Sequence, residues 1–444
     1  MPLLAQNGGD GDDQRVFTAL GGEHKQHVSV DVLKSRFFML GLQIGVSGQM
    51  FFMATVVLFL SYDKSTGAIY ELSHEYYPLF RGLFLICFFG ACYGLVLFIW
   101  RRYKIDYKAL FNVGREHNYH HVIRLSATLL SIVFLTFMLY IFSLTTKQSF
   151  FTPLKHLWPG IAVGGVLLRF FWCRSIQSEW NGRHQRFSLL KAVCMVLLSP
   201  FSEAFFSRTF IADILTSMPK IFADMQFTSC LYITGDMFDG NKSSNSESCS
   251  TDNGTYKAIK IVLSLLPFWI RLMQCVRGFS DSFAMKHVAN GFKYCMSMTV
   301  VALSFTAGKV PIWTVVSVAS SLYAYWWDLH MDWGLGPGWI RRALHGKTLG
   351  GASKDCLLRP TRKYPTHWYY FAMVTNALAR FGWAIYISPG QEVVEHHIVL
   401  LLGVVELLRR TQWSLFRLEW ADLCRAPSSN GDPEPGTQLS LGEG

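Results

Sequence analysis

The sequence predicts an all-α, polytopic membrane helical bundle with about ten transmembrane helices and both termini in the cytosol. Three observations carry that prediction. Of 444 residues, 51% are hydrophobic and only 16% charged, whereas a soluble domain carries about 25% charge. Apolar runs approaching or reaching the roughly 17–25 residues that a bilayer requires recur along the chain. Basic residues crowd alternate connections between those runs, the asymmetry that sets membrane orientation. The net charge of +11 is thus distributed over loops, and no compact basic patch points to nucleic acid.

Read in order, the runs are Phe37–Leu60, Leu79–Trp100, Val122–Phe142 and Leu157–Cys173. The stretch from Arg186 to Tyr232 contains Pro200 and Pro219 and is too long for one span. It reads as an interfacial amphipathic helix followed by a span. Further runs are Ala258–Ile270, Tyr294–Ala307, Ile312–Trp327, Trp368–Ile387 and Val393–Leu408, several of them short enough to extend into their polar flanks. Arg101, Arg102, Lys104, Lys108 and Arg115 fill the second connection. Arg174, Arg183, Arg186 and Lys191 follow the fourth span, and Arg341, Arg342, Lys347, Lys354, Arg359, Arg362 and Lys363 fill the eighth connection. Arg417 and Arg425 follow the last span, whereas Ser61–Tyr77 carries only Lys64 and Ser388–His397 no Lys or Arg. Rich loops face the cytosol, which makes the number of spans even. Residues 1–31 and 426–444 are polar, without a signal-peptide core, and read as disordered cytosolic ends.

The connection Asp236–Thr255 supports the same orientation. It is polar, holds the glycosylation sequons at Asn241 and Asn253, follows Cys230 and contains Cys249. In an oxidising lumen or exterior those two cysteines are candidates for a disulfide, the alternative being that both stay free. No C-x-x-C pair occurs, and Cys87, Cys92, Cys194, Cys275 and Cys295 fall in apolar stretches as small buried hydrophobes. No cofactor or metal is expected.

Charges inside or bordering the spans are the functional signal. Arg271, Lys293, Asp328, Asp332, Arg380, Glu406, Arg409 and Arg410 would each cost about 2.5–3.5 kcal/mol at the bilayer centre, so they face a bundle interior, a cavity or a partner. Arg380 falls in the middle of Trp368–Ile387, with Trp383 one turn on. Glu406, Arg409 and Arg410 share a helix at i, i+3 and i+4, so Glu406 can pair with one arginine and leave the other for a ligand. Several arginines with few acids describe an anion site, since the guanidinium fork takes phosphate bidentately and keeps its charge. The alternative is that the arginines pair with Asp213, Asp328 or Asp332 and tie helices together, or that Arg409 and Arg410 snorkel to the membrane edge.

Five motifs then resemble one family. Tyr325–Leu335 reads YWWDLHMDWGL, similar to the W-D-x-x-M-D-W-G-L signature of EXS-domain proteins. Trp269-Ile-Arg271-Leu-Met-Gln274-Cys275-Val-Arg277, Asn290-Gly-Phe-Lys293-Tyr294, Arg380-Phe381-Gly-Trp383 and Glu406–Glu419 follow in the family's order. The resemblance covers residues 32–425 and is to the transmembrane part of the xenotropic and polytropic retrovirus receptor type of phosphate exporter. It implies that inorganic phosphate leaves the cytosol along basic residues of the later helices. Arg380, Trp383, Arg409, Arg410 and Arg271 then line the pathway, with Trp383 a gate or stacking wall and Asp213 orienting a basic group.

The chain departs from the family pattern in several places. Only about thirty polar residues stand where long members carry an SPX domain, so regulation through that domain is not expected. Gly278-Phe-Ser280-Asp281 replaces a more basic run, Arg208 and Asn376 stand in place of acids, and His330 in place of lysine. Fewer acids beside the arginines raise the local positive potential. Members without SPX include Golgi proteins, so a plasma-membrane or a Golgi location both fit. The expected partners are inorganic phosphate and membrane lipid, with a homodimer allowed and no nucleic acid. Two other classes compete: a Golgi membrane sorting or scaffold protein without intrinsic transport, and a membrane enzyme. Asp328-x-x-x-Asp332 and the histidines His117, His120 and His121 are thin support for an enzyme, which is not expected.

Overall fold

The computed structural model describes residues 30–60, 76–111, 119–145, 156–171, 194–198, 205–236, 247–305, 310–337, 357–387 and 395–425. Asn241, Lys64, His117, Arg115 and the basic residues at 174–191 and 341–354 lie outside them, as do residues 1–29 and 426–444. Regular structure among the described residues is helical throughout. In chain order the helices are α1 (Val30–Leu60), α2 (Tyr77–Arg102), the short α3 (Tyr107–Phe111), α4 (Tyr119–Thr145) and α5 (Leu157–Phe171). They continue as α6 (Phe206–Leu215), α7 (Pro219–Thr234), α8 (Gly254–Ser282), α9 (Met285–Ser304) and α10 (Val310–Trp327). A π-helical turn, Asp328–Asp332, extends α10. Then come α11 (Thr366–Arg380), a 3₁₀ segment Gly382–Ile387, and α12 (Glu395–Arg425).

Tyr77–Arg102, Tyr119–Ser143 and Gly254–Ser282 are long and apolar enough to cross a membrane by composition alone, and Phe38–Met53 and Leu157–Arg169 are shorter apolar helices. The remaining helices are too polar or too short for that test, and several of their charged side chains, among them Arg409 and Arg410, are buried. Such a fold is a helical membrane bundle and the protein is an integral membrane protein. Phe38, Leu42, Phe51 and Phe52 of α1 are exposed, and α1 packs chiefly along α4. Close helix approach is built in at Gly94 of α2, where a Cβ would lie 2.5 Å from Ile123 of α4.

Two apolar clusters organise the interior. Tyr76, Phe80, Tyr140 and Leu231 form one at the start of α2. Trp100, Phe210, Trp333, Trp413 and Phe416 form the other, around the end of α2 and the second half of α12. Beside the latter, Glu419 is fully buried and accepts from Tyr369 Oη at 2.5 Å and Lys363 N at 2.6 Å, while Arg359 pairs with it. The segment before α11 is thereby fastened onto α12.

Of the short runs expected to extend into their polar flanks, Ala258–Ile270 lies within the longer α8, and Tyr294–Ala307 overlaps α9, which begins at Met285 and ends at Ser304. Other expectations are corrected. Asn253 caps α8, its side chain accepting from Thr255 N at 3.0 Å and Tyr256 N at 3.2 Å. Pro267 sits within the helix without ending it. Within the stretch Arg186–Tyr232, residues 186–193 and 199–204, where the interfacial helix is expected to begin, lie outside the described residues, and α6 buries Phe206, Phe210 and Ala212. α6 is followed, after the break at Thr216–Met218, by α7. Cys87, Cys92 and Cys275 are buried as expected, but Cys194 and Cys295 are exposed, on outward-facing helix positions.

Candidate functional site

The charged residues of the later helices meet where three elements are interrupted. The first interruption separates α6 from α7 at Thr216–Met218, with Pro219 opening α7 and supplying no amide. The second is the π turn after α10, where Trp333 N donates to Asp328 O at 2.9 Å across five residues. The third ends α11 at Arg380, where Phe381 N donates to Leu378 O and the chain tightens to 3₁₀. Gly382 follows, a poor helix former. Arg380 was expected in mid-span and Trp383 one turn on along the same face. Both are corrected: Arg380 terminates the α-helix and Trp383 lies beyond the break.

Asp328 is 1% exposed and is the hub. Its Oδ2 accepts from Arg380 Nε at 3.0 Å and from Asn376 Nδ2 at 3.0 Å, and lies 3.6 Å from Arg409 Nη1. Asn376 Oδ1 in turn accepts from Arg409 at 3.4 Å. Arg409 is further held by both oxygens of Glu406, at 2.8 and 2.6 Å. Glu406 thus takes Arg409, and among the described residues no carboxylate is a hydrogen-bond partner of Arg410. Arg410 is 8% exposed. Its Nε donates to Ser217 Oγ at 2.9 Å and its Nη2 to Thr216 Oγ1 at 3.0 Å, while its guanidinium lies 4.8 Å from the Trp413 ring. Ser217 donates onward to Glu406 at 2.5 Å. The break between α6 and α7 therefore supplies neutral hydroxyls that aim an arginine.

Arg271, 3% exposed, is placed differently. Its Nε donates to Asp213 Oδ1 at 2.8 Å and to Tyr294 Oη at 3.0 Å, its Nη1 to Gln274 at 2.6 Å. Tyr294 Oη also donates to Asp213 at 2.6 Å. The pair joins α6, α8 and α9, the tying role that the sequence left open. Lys293, next in sequence to Tyr294, lies against the Tyr294 and Trp327 rings at 4.8 and 5.0 Å. Asp332 accepts from Trp413 Nε1 at 2.9 Å and lies 3.6 Å from Arg417. Both aspartates of the Asp328–Asp332 turn are buried among cations, not at an exposed helix end. Trp383 donates to Ser321 Oγ at 3.0 Å and meets Trp313 edge-on, with ring centroids 5.4 Å apart. Ser321 also donates to the carbonyl of Arg380 at 3.2 Å, so the tryptophan and the arginine share one anchor on α10.

The residues that sequence reasoning left off the site are Asp328, Lys293, Asn376, Ser217 and Thr216. The first two were visible as charges near spans. Asn376 was visible only as a substitution, and the hydroxyls carried no signal beyond the nearby Pro219. Away from this cluster, Cys230 of α7 and Cys249, in the turn before α8, are joined in a disulfide with Cα atoms 5.9 Å apart.

Interrupted helices around buried arginines, inside an otherwise apolar bundle, define a polytopic membrane protein with a polar core suited to an anion. The chain belongs to the EXS family, whose model matches residues 76–423. It is similar to "SPX and EXS domain-containing protein 1" of Dictyostelium discoideum, 26% identical over 408 residues, 88% of this chain and 41% of that protein. It is also similar to "Phosphate transporter PHO1 homolog 4" of Arabidopsis thaliana, 26% identical over 77% of this chain and 45% of that one. "Solute carrier family 53 member 1" of Homo sapiens is 26% identical over 79% of this chain and 51% of its own length. The chain thus spans about half the length of the curated relatives it matches.

Proposed function

We propose that the protein exports inorganic phosphate from the cytosol along a pathway lined by Arg380, Arg409 and Arg410, with Trp383 as its aromatic gate. The observation that carries this is Arg410: a buried guanidinium held by two hydroxyls, beside the break of α6 and α7. A phosphate oxygen can replace either hydroxyl at the fork without displacing an ion pair. The relatives named as a phosphate transporter and a solute carrier support phosphate as cargo and a transporter rather than an enzyme. Arg380 and Trp383 share Ser321, so motion of one is passed to the other. Arg271 and Asp213 serve the pathway by fixing α6 against α8 and α9. The sequons at Asn241 and Asn253 and the Cys230–Cys249 bridge favour a secretory-route membrane, the Golgi or plasma membrane, with both termini and the basic connections cytosolic.

Phosphate efflux from preloaded liposomes holding the purified chain tests the reading. The parent is expected to release phosphate well above empty vesicles. Arg380→Ala is expected to lose most of that flux, since Asp328 and Arg409 would then close on each other. Folded parent protein that releases nothing would move the assignment to a membrane sorting or scaffold role.

A further inference from the structure

We propose that the site is matched in charge to a doubly negative tetrahedral oxyanion, so that the species drawn from the phosphate pool is the hydrogen phosphate dianion. This rests on the phosphate-pathway reading above. Among the described residues the cluster holds four carboxylates, Asp213, Asp328, Asp332 and Glu406. The same network holds six cations: Arg271, Lys293, Arg380, Arg409, Arg410 and Arg417. The surplus is two positive charges. The phenol of Tyr294 and the thiol of Cys275, which face Arg271, add none in their protonated forms.

The pairing shows where the surplus sits. Arg271 is taken by Asp213, Arg380 by Asp328 and Arg409 by Glu406. Asp332 is left to face both Lys293 and Arg417, one carboxylate for two cations. Among the described residues Arg410 bonds only to hydroxyls. One surplus charge is therefore at Arg410 and the other is shared by Lys293 and Arg417. A proton passing from Lys293 to Asp332 would leave the surplus unchanged. Arg410 and Lys293 both act on Asp213, so the two unbalanced positions converge on one region. Asn376, wholly buried, links Asp328 to Arg409 with a neutral amide and adds no fifth carboxylate.

Other ion pairs outside the cluster, Arg81 with Asp224, Arg359 with Glu419 and Lys363 with Asp422, each match one cation to one carboxylate. Uncompensated charge in a dry interior is costly, and a ligand that cancels it removes that cost. A dianion cancels the surplus, whereas a monoanion leaves one buried charge unmatched. Neutral acceptors on Arg410 hold its fork ready without cancelling its charge, which allows release as well as binding.

Sulfate and perchlorate separate charge from shape, being tetrahedral oxyanions with two charges and one. Phosphate efflux from proteoliposomes of the full chain is measured with each as competitor, and against pH at fixed total phosphate. Sulfate is expected to inhibit at least about tenfold more strongly than perchlorate. Efflux is expected to rise with pH through the second ionisation of phosphate, while inhibition by sulfate, whose charge is constant there, stays level. Arg410→Gln is expected to bring the sulfate-to-perchlorate ratio towards one and Arg410→Lys to preserve it. A folded Arg410→Gln protein with the parent ratio overturns the placing of a surplus charge at Arg410. Equal inhibition by the two ions, or efflux that follows the monoanion, overturns the charge match and leaves the phosphate pathway standing. Absence of phosphate efflux from folded parent protein overturns both.

Discussion

Arg271 and Arg410 lie in the same polar interior, yet their partners assign them opposite work. Arg271 spends its fork on a carboxylate, a phenol and an amide from α6, α8 and α9. Removing one member of a buried pair strands the other charge, at a cost of about 3–5 kcal/mol. Arg271→Met is therefore expected to lower the unfolding temperature in detergent markedly. Combining it with Asp213→Leu is expected to recover part of the loss, because neither charge then remains. A single variant that melts with the parent would show that Arg271 is not a tie between helices. The charges themselves were legible in the sequence, standing out in apolar runs. The pairing of Glu406 with an arginine of its own helix was legible in the spacing, and the aspartates stood as possible partners. Which arginine takes which group was not, because Arg380 meets Asp328 across 52 positions and Arg410 meets Ser217 across 193. Hydroxyls in a span carry no compositional signal, so the groups that leave Arg410 uncompensated emerge only from the fold.

At the scale of elements, the buried charges are concentrated at interruptions. The end of α6, the π turn after α10 and the end of α11 each remove regular backbone bonding where charges converge, a placement that protein-lined interiors allow and lipid does not. Periodicity suggested continuous spans through two of these places. Apolar residues continue past Arg380, and the tryptophans of Tyr325–Leu335 run on without marking a change of helix type. Only Pro219 announced a break. The turn after Asp332 depends on Gly334, whose φ is +61° and whose missing Cβ leaves room for the Trp420 ring at 2.5 Å. Gly334→Ala joins left-handed strain to a clash with an aromatic ring, together at least about 1–3 kcal/mol. It is expected to reduce the yield of monodisperse protein and its unfolding temperature. Gly164→Ala, where nothing lies within 4 Å, is the control and is expected to match the parent. Equal behaviour of the two variants would mean that the turn does not fix Asp328 and Asp332 against α12.

For the whole molecule, orientation decides whether the proposed pathway leads out of the cytosol, and the connection between α7 and α8 is where orientation can be read. It carries the Cys230–Cys249 bridge, and Asn253 caps α8 with its carbonyl oxygen while the amide nitrogen remains the group that a glycan would take. If this connection faces the lumen or exterior, Asn253→Gln and Asn241→Gln each remove one glycosidase-sensitive step in gel mobility. The bridge closes a loop with a sequence separation of 19, and a loop of that size is worth about 3 kcal/mol through the unfolded chain. Replacing both cysteines with serine is accordingly expected to lower the unfolding temperature by several degrees. It should leave the sulfate-to-perchlorate ratio intact, because the bridge touches none of the arginine cluster. Full-length protein that carries no glycan at either asparagine and is indifferent to reductant would place the connection in the cytosol. The same helices would then conduct in the opposite sense, with the arginines unchanged and the direction of phosphate movement reversed.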